Sequence, residues 1–201
     1  MPYVKETFQV STLETAKHVA LTTDTDNPNK FYEETDYFVS TLLNNFSNSK
    51  CRKWLDYGCG MGRVSLEIIK KYGDPVVGYD TSQSMLYWAN QYIKSQFFIP
   101  SLQLPKNKFD VIICAFCLQH VEDVKLEVEN IFSLLDSSGS FVLLNEQTRY
   151  VPNGLTDDNF VIWENDKIDV FEEVEKKFVL YKSVPYVEKS NLNINFYNRR
   201  D

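Results

Sequence analysis

The stretch LDYGCGMG at residues 55–62 decides the fold of this chain, together with VVGYD at residues 76–80. In the first stretch an apolar strand breaks into alternate glycines, which lack a Cβ atom and let the backbone turn sharply against a ligand. In the second stretch a strand ends in the lone carboxylate Asp80. Asp80 lies 18 residues after Gly62, the last glycine of the first stretch, and an acid that binds a ribose diol is expected about 20 residues after such a turn. Together they predict an α/β domain that binds an adenosine group.

The glycine spacing narrows the class of ligand. The third glycine of a dinucleotide fingerprint would fall at position 63, where this chain has Arg63. A pyrophosphate needs free N–H groups at a helix N-terminus, whereas an acid such as Asp56, just before the turn, suits a cationic ligand. The sequence also contains no phosphate-binding loop that ends in Gly-Lys-Ser/Thr. The pattern therefore favours a charged nucleoside over a dinucleotide.

The run at residues 56–62 resembles the first motif of the class I S-adenosylmethionine-dependent methyltransferases. The resemblance covers roughly residues 50–146 and continues through Asp80, LP at 104–105, FDVII at 109–113 and LQHV at 118–121. It implies a doubly wound, Rossmann-like α/β fold with seven mostly parallel strands, the last antiparallel. It also implies S-adenosyl-L-methionine as the cofactor and S-adenosyl-L-homocysteine as the product.

Strand and helix patterns alternate along the chain, as a doubly wound sheet requires. Helices over 12–46 precede the sheet, while residues 147–160 look irregular and 165–177 look helical. Two β-like runs, at 178–186 and 192–197, close the sequence. We expect a single domain, with a helical cap or lid at 1–49 and the donor-binding core at 50–201.

Composition sets limits on the partners. The net charge of −7 over 201 residues argues against a protein that holds nucleic acid by neutralising phosphates. No apolar stretch approaches the roughly 20 residues that span a bilayer, and residues 1–10 do not resemble a secretory signal. Cys114 and Cys117 have metal or redox spacing, but a small apolar role at the end of a strand is favoured. We expect a cytoplasmic protein, and the sequence leaves its oligomeric state open.

Ten residues are candidates for the cofactor site. The resemblance implies that Asp80 accepts hydrogen bonds from both ribose hydroxyls and that Asp56 orients the methionine ammonium. A cap or turn is the alternative for each acid, and core packing is the alternative for Met85. Many relatives read adenine with an acid before Leu-Pro, but residues 99–105 contain none, so Ser101, a backbone carbonyl or packing must hold the base. The candidates are Asp56, Gly58, Gly60, Gly62, Asp80, Thr81, Met85, Ser101, Leu102 and Ala115.

Two residues are candidates for removing a proton from the acceptor. His120 follows the fourth strand, where relatives place a histidine beside the donor methyl, and with a pKa of about 6.5 it can accept a proton. Glu146 ends the fifth strand and would face the same crevice, as a base or a substrate ligand. A histidine before a helix also often caps or packs, so both roles stay open for His120.

Four further residues are candidates for the acceptor pocket, with core or surface packing as the alternative for each. They are Tyr32, Tyr37, Arg149 and Tyr150. We expect no metal, because the end of the fourth strand offers no carboxylate cluster for a divalent ion. The same strand end lacks the Asn/Asp-Pro-Pro-aromatic signature of nucleic-acid amino methylases.

The leading hypothesis is methyl transfer to an oxygen or nitrogen of a small molecule of sugar, lipid-precursor or secondary-metabolite type. The N-terminal helices and residues 147–163 would close over the acceptor. The alternatives are an RNA or protein methyltransferase, a non-catalytic donor-binding partner, and an aminopropyl transferase that uses the decarboxylated donor.

Overall fold

A computed structural model describes residues 8–21, 26–46, 51–155, 161–187 and 191–200. The strands are β1 (Trp54–Tyr57), β2 (Val76–Tyr79), β3 (Phe98–Ser101), β4 (Phe109–Ala115), β5 (Leu135–Leu144), β6 (Thr148–Leu155), β7 (Val161–Asp169), β8 (Phe178–Pro185) and β9 (Asn193–Arg199). The helices are α1 (Leu13–Ala20), α2 (Lys30–Asn45), α3 (Arg63–Tyr72), α4 (Gln83–Ile93), α5 (Val124–Leu134) and α6 (Val170–Glu175). A short 3₁₀ helix, Leu118–His120, follows β4.

Seven strands form one sheet in the order β3-β2-β1-β4-β5-β9-β8. The pairs from β3 to β5 are parallel, and β9 runs antiparallel to both of its neighbours, β5 and β8. This confirms the predicted sheet with its last strand antiparallel. The strand order reverses between β1 and β4, and in open α/β sheets ligands bind in the crevice outside the carboxyl ends at such a point.

The sheet is buried on both faces, as the apolar β4 predicted. Ile112 and Cys114 pack on the face that α5 and α6 cover. Val111 and Ile113 alternate with them and pack on the face of α2 and α3. All four side chains are at most 2% exposed. Burying an apolar side chain such as Ile112 stabilises the fold by about 1.5–3 kcal/mol. The buried core therefore fixes the positions of the carboxyl ends of the strands.

The interpretation of residues 147–177 was partly wrong. Residues predicted to be irregular form β6, which pairs antiparallel with β7 in a separate two-stranded sheet. The predicted helix from residue 165 begins only at Val170, because Asp169 caps it by accepting a hydrogen bond from the Glu172 amide. The prediction rested on the spacing of Ile168, Phe171 and Val174, which fits a helix. Ile168, however, lies in β7, and only the other two residues lie in α6.

The two N-terminal helices form as predicted. Thr12 caps α1 by accepting a hydrogen bond from the Thr15 amide. Helix α2 packs Phe38 and Leu42 into the core beside the sheet. The boundary proposed between residues 49 and 50 lies outside the described residues, so this division stays a prediction. Within the described parts of the chain, no helix combines the length and the apolar character that crossing a bilayer needs.

Candidate functional site

A cavity of about 930 Å³ lies at the carboxyl ends of the central strands. The turn after β1 contributes Gly58 and Gly60, Asp80 follows β2, and His120 follows β4. Residues 8–11 and the end of α1 form a further wall. The volume lies in the range of about 300–1,000 Å³ typical of small-molecule sites.

The glycine turn owes its shape to left-handed backbone angles. The φ angles of Gly58, Gly60 and Gly62 are +73°, +53° and +80°, a region that side chains with a Cβ rarely adopt. A Cβ on Gly58 would lie 2.2 Å from the Cys117 sulfur, whereas the nearest atom to a Cβ on Gly60 is the Ala20 Cβ at 4.0 Å. Gly58 therefore allows close packing between strand ends, and Gly60 leaves open space for a ligand.

Asp80 is joined to the glycine turn. Its Oδ2 accepts a hydrogen bond from the Gly60 amide at 2.8 Å, and its Oδ1 accepts one from the Ser82 amide at 2.8 Å. Burial raises the pKa of Asp80, and these two N–H groups oppose part of the rise. Each carboxylate oxygen has two lone pairs, so one remains on each for a ligand hydroxyl.

Asp56 is buried at the base of the cavity, with 2% of its surface exposed. Its Oδ2 accepts hydrogen bonds from the Ser65 hydroxyl at 2.7 Å and from the Ser65 amide at 3.2 Å. Burial raises the pKa of Asp56 to about 6, while Ser65 and the nearby Arg63 guanidinium counter part of that effect. The acid therefore links β1 to the first turn of α3 and is ionised at neutral pH.

The other cofactor candidates divide into two groups. Thr81, Met85, Leu102 and Ala115 line the cavity. Gly62 and Ser101 do not. Gly62 caps α3, and a Cβ there would lie 2.5 Å from the Ile93 side chain, so this glycine serves packing. The Ser101 hydroxyl donates to the Gln103 carbonyl at 2.6 Å, which turns it toward its own loop.

His120 lines the cavity between aromatic rings. The Trp163 and Phe8 rings lie 4.4 and 5.8 Å away, centroid to centroid. Its Nδ1 lies 3.3 Å from the Tyr150 carbonyl and its Nε2 lies 3.1 Å from the Gln119 side-chain nitrogen. Burial lowers the pKa of His120 to about 4, so its ring is neutral at pH 7.

The remaining candidates do not line the cavity. Arg149 pairs with Asp166 and donates to the carbonyls of Val121 and Glu122, which occupies its guanidinium. Tyr150 contacts His120 through its backbone carbonyl.

Tyr32 and Tyr37 are half exposed. The Tyr32 hydroxyl accepts a hydrogen bond from Lys17 at 3.2 Å, and the Tyr37 hydroxyl donates to the Pro185 carbonyl at 2.9 Å. Glu146 contacts Gln119 through its backbone amide. The roles assigned to the candidates of this site stay predictions.

Several cavity residues were missed. The Tyr57 hydroxyl donates to Glu127, and both line the cavity beside Cys117. The alternation of side chains along β1 could have placed Tyr57 on the face of the sheet that α5 covers. Nothing in the local sequence, however, predicts its hydrogen bond to Glu127, 70 positions away. Phe116 also lines the cavity and has a φ of +55°, a strained conformation for an aromatic residue that often marks a functional turn.

The strand order, the glycine-lined cavity and the acid after β2 define a Rossmann-like, nucleoside-binding class of protein. A sequence profile described as a methyltransferase domain matches residues 31–201. The chain therefore belongs to this methyltransferase family, the class I enzymes that depend on S-adenosylmethionine, as the resemblance predicted.

Two curated proteins illustrate the similarity of this chain to others in sequence. An uncharacterised protein from Haemophilus influenzae is 27% identical over 79% of this chain and 63% of its own length. A ubiquinone biosynthesis O-methyltransferase from Coxiella burnetii is 32% identical over 42% of this chain and 39% of its own length. The chain thus spans less than two thirds of these relatives.

Solved structures share the fold at low sequence identity. An S-adenosylmethionine-dependent methyltransferase from Mesorhizobium loti aligns over 82% of this chain and 98% of its own, with a TM-score of 0.58 and 16% identity. The glycopeptide N-methyltransferase MtfA, solved with S-adenosyl-L-homocysteine, aligns over 82% and 90%, with a TM-score of 0.61 and 11% identity. These likenesses confirm the predicted fold.

Proposed function

We propose that this chain transfers the methyl group of S-adenosylmethionine to an oxygen or nitrogen of a small-molecule acceptor. The observation that carries the proposal is that one cavity joins Asp80 and the open face of Gly60 to His120. A nucleoside held at the first two residues would present its sulfonium toward the third. Alignment of donor and acceptor in such a site supplies much of the acceleration, because the sulfonium is already a good leaving group.

The charges of the cavity favour a cationic donor. Asp56, Asp80, Glu122 and Glu127 line it, and Arg63 is the one arginine or lysine among the lining residues that the structure describes. Arg63 donates to the Thr35 hydroxyl at 3.0 Å, so its guanidinium is partly engaged. A pyrophosphate would face repulsion here, whereas a sulfonium with an ammonium group would be attracted.

The charged residues in and near the cavity also indicate which charge the acceptor carries. Arg149, the candidate for an anionic acceptor, is neutralised by Asp166 outside the cavity. A neutral or cationic acceptor fits better than a phosphate or carboxylate. The name of the Coxiella relative, an O-methyltransferase, supports oxygen, and the name of MtfA, an N-methyltransferase, supports nitrogen. Sugar, lipid-precursor and secondary-metabolite acceptors all stay within the proposal.

The proposal also covers the size of the acceptor and the cellular compartment. The acidic net charge of −7 favours a small acceptor over RNA. All four cysteines carry free thiols, in keeping with a reducing cytoplasm. An RNA or protein acceptor, and a donor-binding partner without catalysis, are the competing functions.

The test is incubation of the purified protein with methyl-labelled donor and a metabolite extract from its host. We expect a labelled product that passes an ultrafilter and survives nuclease and protease treatment. At subsaturating donor, Asp80→Asn should form about 10- to 100-fold less of it. Label on RNA or protein would contradict the proposed acceptor class. Donor binding by calorimetry without any labelled product would favour the non-catalytic role.

A further inference from the structure

The cavity has carboxylates on both faces of the sheet. Successive side chains of β1 point to opposite faces, so Asp56 accepts a hydrogen bond from Ser65 in α3, whereas the Tyr57 hydroxyl donates to Glu127 in α5. Asp56 and Glu127 both line the cavity, and so does Asp80, which is joined to the glycine turn. A ligand held at Asp80 can therefore reach one acid on the α3 face and another on the α5 face.

Glu127 keeps one carboxylate oxygen for a ligand. Its Oε2 accepts hydrogen bonds from the Tyr57 hydroxyl and from the Asn130 side-chain nitrogen, the latter at 3.3 Å. Burial and the hydrogen bond to Glu127 raise the pKa of Tyr57, so the phenol keeps its proton and remains the donor. Within the described residues, Oε1 accepts no hydrogen bond and no lysine or arginine pairs with this carboxylate. A ligand that enters the cavity thus meets an unused acceptor.

The walls on the α5 face suit a flat base with an amino group. The partly buried apolar side chains that line the cavity and pack against the core of this face are Tyr79, Cys117 and Val121. The Tyr79 ring lies 5.0 Å from the Tyr57 ring, and burial and the nearby Glu127 raise the pKa of Tyr79 to about 12. Asp80 follows Tyr79 directly, so the acid for the ribose adjoins this wall. Adenine has flat apolar faces and an exocyclic amino group that donates hydrogen bonds.

We propose that Glu127 recognises the adenine of the donor by accepting a hydrogen bond from its amino group through Oε1. The donor then spans the cavity, with its ammonium group toward Asp56, its ribose at Asp80 and its base on the α5 face. This assignment supplies the acid that residues 99–105 lack, where the Ser101 hydroxyl donates to its own loop. The inference rests on the donor of the proposed function and is independent of the acceptor.

The test compares S-adenosyl-L-homocysteine with S-inosyl-L-homocysteine, in which a carbonyl oxygen replaces the amino group. That oxygen cannot donate to Glu127, so we expect the unaltered protein to bind the inosyl compound about 10- to 100-fold more weakly, the range for a hydrogen bond to a charged group. Glu127→Gln supplies an amide that can both donate and accept, so the difference should fall to within about threefold. Calorimetric titration measures all four affinities.

A purely structural role of Glu127 predicts a different pattern. If the carboxylate only supported Tyr57, Glu127→Gln would weaken binding of both compounds equally and leave the preference intact. Tyr57→Phe removes the hydroxyl but keeps the carboxylate, so it should retain the preference. Glu129→Gln is the matched control on the surface of α5. It breaks a pair with Lys177 and should leave both affinities unchanged.

Three results would overturn the proposal: equal affinity of the unaltered protein for the two compounds, binding of neither, or a preference that Glu127→Gln leaves intact. The first two need no variant, so they decide the matter even where a substitution impairs folding. No acceptor is present in these titrations. Absence of methyl transfer together with the expected preference would therefore refute the proposed function and leave the adenine assignment in place.

Discussion

The backbone amide of Gly60 donates a hydrogen bond to the Oδ2 of Asp80 over 2.8 Å. The amides of Gly58 and Cys59 donate to the Tyr79 carbonyl, one residue earlier, at 2.8 and 2.9 Å. The turn after β1 and the acid after β2 are therefore one hydrogen-bonded unit. A change at either residue should affect both the shape of the cavity and its chemistry.

Asp80→Asn should weaken binding of the donor by one to two orders of magnitude. The substitution removes the charge from the carboxyl group that would accept from the ribose hydroxyls, and such a charge-assisted hydrogen bond contributes about 1.5–3 kcal/mol. Calorimetric titration with S-adenosyl-L-homocysteine measures the loss. Asp36→Asn, which removes a surface pair with Lys71, is the control and should bind normally. Equal affinity in the two variants would remove Asp80 from the donor site.

Alanine at Gly58 and at Gly60 should have opposite consequences. Gly58→Ala places a methyl against the Cys117 sulfur, so we expect a loss of unfolding free energy of about 1–3 kcal/mol from overpacking, beyond about 1–2 kcal/mol for the left-handed backbone. Gly60→Ala should incur only the backbone cost but should block donor binding, because its methyl enters the cavity. Urea unfolding and donor titration separate the two effects. Equal stability of both variants, or normal donor binding by Gly60→Ala, would contradict this assignment.

His120 should make the folded protein less stable in mild acid. Its pKa is about 4 in the fold and 6.5 when unperturbed, so between these values the unfolded chain binds a proton that the folded chain does not. Stability from this group is intact above pH 6.5 and falls as the pH drops toward 4, by about 3 kcal/mol in total.

The measurement is the difference in unfolding free energy between the unaltered protein and His120→Asn as a function of pH. The difference should shrink across this window because the variant lacks the titrating group. His18→Gln serves as the comparison and should leave the His120 contribution in place. A difference that stays constant from neutral pH to 4 would show that the imidazole titrates normally.

Asp56→Asn should stabilise the protein at neutral pH while it weakens donor binding. Burial raises the pKa of Asp56 from 3.8 to about 6, so keeping it ionised at pH 7 costs the fold about 3 kcal/mol. The amide removes that cost and with it the charge that attracts the donor ammonium. As the pH falls from 6 toward 4 the unaltered protein takes up its proton and the advantage of the variant should vanish. Parallel urea unfolding curves over this range check the sign, and a gap independent of pH would contradict it.

The sheet could be predicted from the sequence because its signals are local. A buried parallel strand such as β4 is apolar throughout, and left-handed turns at Gly58 and Gly60 require glycine. The β6–β7 hairpin could not be predicted in the same way. Its pairing places polar residues of β7 opposite aromatic or apolar residues of β6, such as Asn165 opposite Tyr150 and Glu164 opposite Val151, and no alternating apolar stripe marks either strand.

The candidate site follows the same rule: local motifs identified some of its residues, whereas residues that depend on long-range contacts could not be assigned from the sequence. Gly60 and Asp80 belong to two short local motifs, and both line the cavity, while their role toward the donor stays a prediction. The acceptor candidates depended on contacts between distant parts of the chain. Arg149 forms an ion pair with Asp166 and does not line the cavity. The Tyr37 hydroxyl donates to the carbonyl of Pro185, 148 positions along the chain. The hydrogen bond from the Glu146 amide to the Gln119 side-chain oxygen likewise joins positions that no spacing rule pairs.

A crystal structure of the protein with S-adenosyl-L-homocysteine tests the central claim most directly. The account predicts the nucleoside in the cavity, with both ribose hydroxyls within hydrogen-bond distance of Asp80, the backbone of Gly60 against the ligand and the sulfur directed toward His120. The nucleoside bound elsewhere, or a cavity that stays empty at saturating ligand while a nicotinamide dinucleotide binds there, would contradict it.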